Sequence, residues 1–447
     1  MTSSGALVLG QGHGGHGGHG GRDRSYLRRL LSTLALVALF HGFVSALPSA
    51  ALADIAAAFG FTSADDQALV RAIALVGIGS FAGILLSPLS DRLGRKPFLV
   101  WATVGAAVLS AAAGVSSALG LFALLEFAAR ALSVSAYAAA IAVASEEFPS
   151  EERGWVTGVV TGTGAAGLVA ATVLEAGVGA ISNYRGVFLL SLTGLLVAWL
   201  VSRVEETNRW SSLTARGVGH SLARMGFRTE MMQVGLVFFL TYFALFGAGG
   251  WWGLFASRER GLEAGVVGAG LAAAYLAGVA GHFVSGWLQD SMGRRRTATA
   301  FLLAGALVSA GVFTARGQLL VLATVMIAGF FGFGASAPLT ALAAELFQTE
   351  ARVTSIAIVR TGFGTLGAIL GPLTVGWLAG GELIRGIGEA ALLVIVLSLL
   401  PAVILLQYLP ETVRRDLESI EAATEAISAA FVPRVTEPYR PPTGPSA

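Results

Sequence analysis

The sequence predicts an all-α membrane protein of twelve transmembrane helices in two pseudo-symmetric six-helix bundles. Three observations carry that expectation. The chain has 447 residues, of which 55% are hydrophobic and 13% charged. That is about half the charged share of a soluble domain, too little to cover a water-soluble fold of this length. Apolar runs of about 20 residues, enough for a helix to cross a bilayer, recur between Leu30 and Leu409. The charged loops of the first six runs also reappear, in order, in the second six.

Taken in order, residues 1–27 are a Gly/His-rich segment with His13, His16 and His19 three apart. So much glycine is expected to be disordered, with weak adventitious metal binding at most. The first bundle is expected over 28–204, with spans at 30–52, 68–89, 98–118, 119–145, 154–181 and 184–204. A polar loop, 205–233, precedes the second bundle, 234–409, whose spans fall at 234–256, 264–288, 297–315, 318–344, 353–379 and 388–409. A tail over 410–447 closes the chain. Arg28 and Arg29 followed by an apolar run to Ala51-Leu52-Ala53 imitate a cleavable signal peptide. Cleavage is not expected, because the first span has a counterpart at 234–256.

The basic residues give an orientation. Arg92, Arg95, Lys96, Arg153, Arg294, Arg295, Arg296 and Arg352 lie in alternate loops, on the same side as the arginines of both termini and of the central loop. The opposite loops hold only Arg71, Arg185, Arg258, Arg260, Arg316 and Arg385. Positive-inside topology then places both termini in the cytoplasm, and the composition suits a bacterial plasma (inner) membrane. Charges scattered over many loops argue against a nucleic-acid surface. Cysteine is absent, which excludes thiolate metal sites and disulfides. No phosphate-binding loop, catalytic constellation or metal-ligand spacing is present in the spans. Neither an enzyme nor a cofactor or metal is expected, and nothing calls for more than a monomer.

The repeat is explicit. After span 2 the chain reads Ser87-Pro-Leu-Ser-Asp91-Arg92-Leu-Gly94-Arg95-Lys96, and after span 8 Gly286-Trp-Leu-Gln-Asp290-Ser-Met-Gly293-Arg294-Arg295. One offset relates Asp91 to Asp290, Gly94 to Gly293 and Arg95 to Arg294. The same offset relates Glu146 to Glu345 and Arg153 to Arg352 in the loops after spans 4 and 10. Two halves in parallel orientation with matching charges are an internal duplication.

On these motifs the chain, from about 30 to 420, resembles the major facilitator superfamily. Glu146 to Arg153, Glu206-Thr-Asn-Arg209-Trp210 and Pro410-Glu411-Thr412 are similar to the sugar-porter and organic-ion branches. Arg360-Thr-Gly362 and Gly371-Pro372 are similar to aromatic-acid:proton symporters. Ser87 replaces the usual glycine, and span 7 lacks the Gln/Asn cluster of sugar porters. Span 5 lacks the Gly-Pro run of proton/drug antiporters. The resemblance implies alternating access between two rocking bundles, with a small-molecule substrate, protons and membrane lipid as partners.

Within that frame, Asp91, Arg92, Arg95, Glu146 and Arg153 with Asp290, Arg294, Glu345 and Arg352 are expected to form a cytoplasmic gate of ion pairs. Ionisable groups inside spans are expensive and therefore functional candidates. Arg130, Arg360, Tyr137 and Tyr242 are expected to bind substrate. Glu126, four residues from Arg130 on one helix face, and His41 are expected to carry the coupling proton. Trp251, Trp252 and Tyr275 are further candidates for an aromatic wall. The reading is proton-coupled symport of an organic anion, a carboxylate. The alternatives are proton-coupled efflux of lipophilic drugs or metabolites, uptake of a sugar or neutral metabolite, and a non-transporting sensor.

Overall fold

The computed structural model describes residues 23–61, 67–215, 229–381, 384 and 386–417. Most of the Gly/His tail, residues 216–228 of the polar loop and the chain from 418 on lie outside the described residues. Among the described residues, twelve helices are long and apolar enough to cross a membrane. They are α1 (Arg24–Ala50), α2 (Arg71–Leu93), α3 (Arg95–Gly114), α4 (Leu119–Glu147), α5 (Arg153–Gly179) and α6 (Asn183–Ser202). The second set is α7 (Thr229–Arg258), α8 (Ala264–Met292), α9 (Arg294–Thr314), α10 (Gln318–Leu346), α11 (Thr349–Ala379) and α12 (Ile387–Gln407). No strand occurs among the described residues.

Several helices overrun the apolar stretches that predict them. α1 begins at Arg24 and α7 runs from Thr229 to Arg258, because polar residues can continue a helix once it reaches the solvated interface. The apolar run expected to end span 1 instead breaks at Ala51, and a short helix, Leu52–Ala58, follows.

The two halves pack alike. α1 lies on α5 as α7 lies on α11, α2 on α4 as α8 on α10, and α3 on α6 as α9 on α12. The buried apolar residues form two cores, one from Leu30 to Val201 that also takes in Ala344, Val353, Ile356 and Ala357 of the second half, and the other from Met231 to Leu417. Glycine allows the closest of these approaches. A Cβ on Gly42 of α1 would come within 3.0 Å of the Gly167 Cα of α5, the small-residue packing that replaces hydrophobic drive in lipid. Between the halves, α5 packs on α8 and α2 on α11.

Two irregularities bear on the site. The α2–α3 and α8–α9 links each turn on one glycine, Gly94 at φ 108° and Gly293 at φ 99°, a conformation essentially closed to other residues. α11 carries a π-helical turn over Ala357–Phe363, which contains Arg360.

Candidate functional site

Two groups of polar side chains meet where the halves join. The first lies at the end of the molecule where α2 turns into α3. Asp91 crosses to the other half, where it accepts from the backbone N–H of Val353 (3.2 Å) and Thr354 (3.0 Å) and from the Thr354 hydroxyl (2.6 Å). Asp290 makes the reciprocal crossing, accepting from Gly154 N–H (2.8 Å) and Trp155 N–H (2.7 Å). Each acid therefore sits at the start of a helix of the opposite bundle, where unpaired N–H groups and the helix dipole favour a carboxylate.

Arginines tie these acids inward. Arg95 pairs with Glu146 at 3.0 Å and Asp91 at 3.4 Å, and Arg294 with Glu345 at 2.8 Å and Asp290 at 3.1 Å. Arg95 also donates across the boundary to the Thr349 carbonyl at 2.6 Å, and Arg294 to the Ser150 carbonyl at 3.3 Å. Both arginines are fully buried, so their pairs escape most of the screening that makes exposed ion pairs weak.

The symmetry breaks at Glu146. Glu146 Oε1 also takes Arg352 of the other half at 3.0 Å. Its counterpart Glu345 pairs with Arg294 of its own half and accepts from the Thr412 hydroxyl, the equivalent of Thr207 beside Glu146. Arg153, the counterpart of Arg352, donates to the carbonyls of Phe148 (3.0 Å) and Arg415 (3.2 Å). Arg92 is exposed and stands outside this network. Beside the cluster Gly158 of α5 meets Gly286 of α8, and a Cβ on Gly158 would lie 2.5 Å from the Gly286 Cα.

Glu206 and Glu411 complete the arrangement without having been expected in it. Glu206 accepts from the N–H groups of Arg95 (3.1 Å) and Lys96 (3.2 Å), and Glu411 from those of Arg294 (2.8 Å) and Arg295 (3.1 Å). They satisfy the open first turns of α3 and α9 and fix the arginines at those helix starts. The repeated Glu-Thr dipeptide, Glu206-Thr207 and Glu411-Thr412, is the signal in the sequence.

The second group lies deeper, within the spans. Arg360 reaches from α11 to the first bundle, its guanidinium 4.6 Å above the Tyr137 ring and one nitrogen 3.4 Å from the Tyr137 hydroxyl. The His41 ring stacks on Tyr137, with centroids 4.4 Å apart and planes at 12°. His41 Nδ1 lies 2.9 Å from the Ser133 hydroxyl. Tyr242 of α7 packs on Gly364 of α11, where a Cβ would lie 3.0 Å from its ring. The π-helical turn inserts one residue into the α-helical register, and such turns recur at functional sites.

Arg130 and Glu126 share α4 but form no hydrogen bond with each other. Arg130 donates to the Ser45 carbonyl of α1. That carbonyl lies in the turn before Pro48, and proline disturbs the helical hydrogen bonds of the preceding turn. Both Glu126 oxygens are buried without a hydrogen-bond partner, as are Arg130 Nε and Arg360 Nε. His282 of α8 is fully satisfied: its Nδ1–H donates to the Gly278 carbonyl (2.8 Å), and its Nε2 accepts from Ser336 (2.8 Å). Trp251 donates to the Pro372 carbonyl at 2.8 Å. Trp252 and Tyr275 line a cavity between helices of the second bundle.

A family model described as Major Facilitator Superfamily matches residues 34–372 and 234–441. The chain is 26% identical over 389 residues to a gallate transporter of Pseudomonas putida, an alignment covering 79% of this chain and 85% of that protein. It is 23% identical over 348 residues to a cis,cis-muconate transport protein of Acinetobacter baylyi, covering 75% and 83%. Among solved structures, the proton:xylose symporter XylE bound to 6-bromo-6-deoxy-D-glucose matches with a TM-score of 0.73 at 18% identity, over 89% of this chain and 99% of that one.

Proposed function

The chain belongs to the Major Facilitator Superfamily, and on that footing we propose that it takes up a small organic carboxylate together with protons. Membership makes it an integral-membrane transporter of small organic solutes and not an enzyme. The single observation that carries the finer reading is Arg360, a guanidinium held inside the membrane against an aromatic ring of the opposite bundle. A guanidinium offers five donors in a planar fork that matches a carboxylate. Arg360 directs only a long bond to Tyr137, and its Nε has no partner. Arg130 likewise keeps an unpaired Nε. The gallate and cis,cis-muconate of the relatives' names are both carboxylates, which supports the substrate class.

In this mechanism the carboxylate enters between the bundles and takes the free donors of Arg360 and Arg130, with Tyr137 and Tyr242 as aromatic walls. Glu126, on the same helix as Arg130 and with both oxygens unpaired, exchanges the coupling proton. His41, joined to Ser133 and stacked on Tyr137, is the second titratable group at the site. Loading the site displaces Arg360 from Tyr137 and so loosens one bond between the halves.

The bundles 28–204 and 234–409 then rock about the site, joined by 205–233, in a protein that works as a monomer. The Asp91/Asp290 cluster faces the cytoplasm of a bacterial plasma membrane, with both termini on that side, and its pairs part when the inner side opens. The test is counterflow of labelled gallate in vesicles containing the purified protein, with unlabelled benzoate, muconate, xylose and a lipophilic cation as competitors. Carboxylates compete if the reading is right. Competition by xylose or the cation alone would remove it.

A further inference from the structure

The charge cluster at the end of the molecule repeats in both halves, and the group around Arg360 does not. At the offset of the repeat, His41, Tyr137 and Arg360 correspond to Leu240, Ser336 and Thr161. Each bundle forms without the other's members of this group, so the fold does not require them. The Tyr137 ring brings the three together. His41 stacks on it with centroids 4.4 Å apart, and the Arg360 guanidinium lies 4.6 Å from its centre. The ring is held in place by α5, where a Cβ on Gly164 would lie 3.1 Å from the Tyr137 hydroxyl.

His41 has one nitrogen engaged and one open. Ser133 and Ser45 both meet Nδ1, at 2.9 and 3.4 Å, and among the described residues nothing bonds Nε2. The residue is partly exposed. Each element around it contributes differently. α11 brings Arg360. α4 brings the Tyr137 phenol and Arg130, which donates to the Ser45 carbonyl one turn further along α1. α5 approaches α1 at Gly164 and Gly167, and α3 and α6 do so at Ala107 and Gly194 around Phe40. None of these four titrates. Neither arginine is in an ion pair among the described residues. A proton on His41 is therefore a third positive charge with no acid beside it, and like charges repel strongly in a low-dielectric interior.

We propose that Tyr137 is a positioning residue through which a carboxylate bound at Arg360 governs the proton on His41. The link rests on carboxylate uptake as proposed above and adds an order of events. While the Arg360 charge is uncompensated, the imidazole stays neutral. A carboxylate on Arg360 cancels that charge, and His41 then takes a proton from water on Nε2 while Nδ1–H donates to Ser133. When the carboxylate leaves, the Nε2–H bond breaks and the proton returns to water. Substrate binds first and the proton second.

The test uses the full chain, labelled with 15N-histidine, in lipid nanodiscs. The chain has six histidines, and His41→Gln identifies the His41 resonances. Their shifts give the ratio of protonated to neutral imidazole between pH 5 and 8. Saturating gallate should raise that ratio about tenfold at a given pH, the effect of cancelling one charge near the ring. Methyl gallate, the same ring without the carboxylate, should leave it unchanged. Arg360→Gln needs no ligand, and there the ratio should rise about tenfold in the free protein. Tyr137→Ser lets water between the two groups and should cut the gallate effect to about threefold or less. Tyr137→Phe should restore it. Gallate that does not bind, read from its own proton lines, removes the carboxylate reading, and Arg360→Gln alone then decides the link. The same ratio in Arg360→Gln and wild type, a gallate effect matched by methyl gallate, or a full gallate effect in Tyr137→Ser would each overturn the proposal.

Discussion

Arg360 of the second bundle lies 4.6 Å above the ring of Tyr137 in the first, whose ring also stacks on His41. A planar cation over an aromatic face gains from the ring quadrupole, and the contact joins the halves within the membrane-spanning helices α4 and α11. Lysine keeps the charge but neither lies flat on the ring nor offers a fork. Arg360→Lys should therefore weaken carboxylate binding by about 10- to 150-fold, from the loss of one charge-assisted hydrogen bond at roughly 1.5–3 kcal/mol. Tyr137→Phe, which keeps the ring and loses only a 3.4 Å contact, should cost about threefold or less. Competition counterflow measures both. Equal affinities for wild type and Arg360→Lys would show that the fork is not used.

Glu146 and Glu345 are equivalent in the repeat and unequal in their partners. Glu146 holds Arg95 in its own half and Arg352 in the other, whereas the arginine that Glu345 holds, Arg294, is of its own half. Removing one member of a buried pair leaves its partner uncompensated, at about 3–5 kcal/mol. Glu146→Gln should thus favour separation of the halves, and Glu345→Gln should lower thermal stability with much less effect on separation. The chain has no cysteine, so Ser90→Cys, beside Asp91 and fully buried, reports opening through its rate of reaction with an impermeant maleimide. That rate should rise at least tenfold in Glu146→Gln alone.

Gly158 and Gly286 set how closely α5 and α8 can approach. With a Cβ on Gly158 lying 2.5 Å from the Gly286 Cα, any larger residue must move backbone against backbone. Gly158→Val should accelerate labelling of the same cysteine and slow transport. Gly120→Val, at a position where a Cβ meets nothing within 4 Å, should do neither. A Gly158→Val protein that labels and transports like wild type would show that this approach does not hold the end closed.

How far the sequence could be read follows from what lipid demands. Each crossing needs about 20 apolar residues, so the spans are visible, whereas their ends are not, because charged residues such as Arg24 and Arg258 continue the helices into the interface. The repeat identifies Asp91 with Asp290 and Arg95 with Arg294. It carries no sign that each aspartate crosses to the opposite bundle, since that depends on how the halves dock. The four-residue spacing of Glu126 and Arg130 suggests a pair, yet Arg130 turns to a carbonyl of α1, a partner only tertiary packing supplies. The π-helical turn at Arg360 leaves no periodic trace, because one extra backbone residue in a uniformly apolar helix changes no hydrophobic pattern.

The coupling step is tested most directly by recording bulk pH in a lightly buffered suspension of vesicles containing the protein while gallate or another carboxylate is added. The medium should become alkaline in a way that depends on the carboxylate and disappears in Glu126→Gln, while Glu126→Gln still exchanges labelled for unlabelled substrate. Acidification driven by a lipophilic cation, with no response to any carboxylate, would contradict proton symport and reduce Arg130 and Arg360 to structural charges.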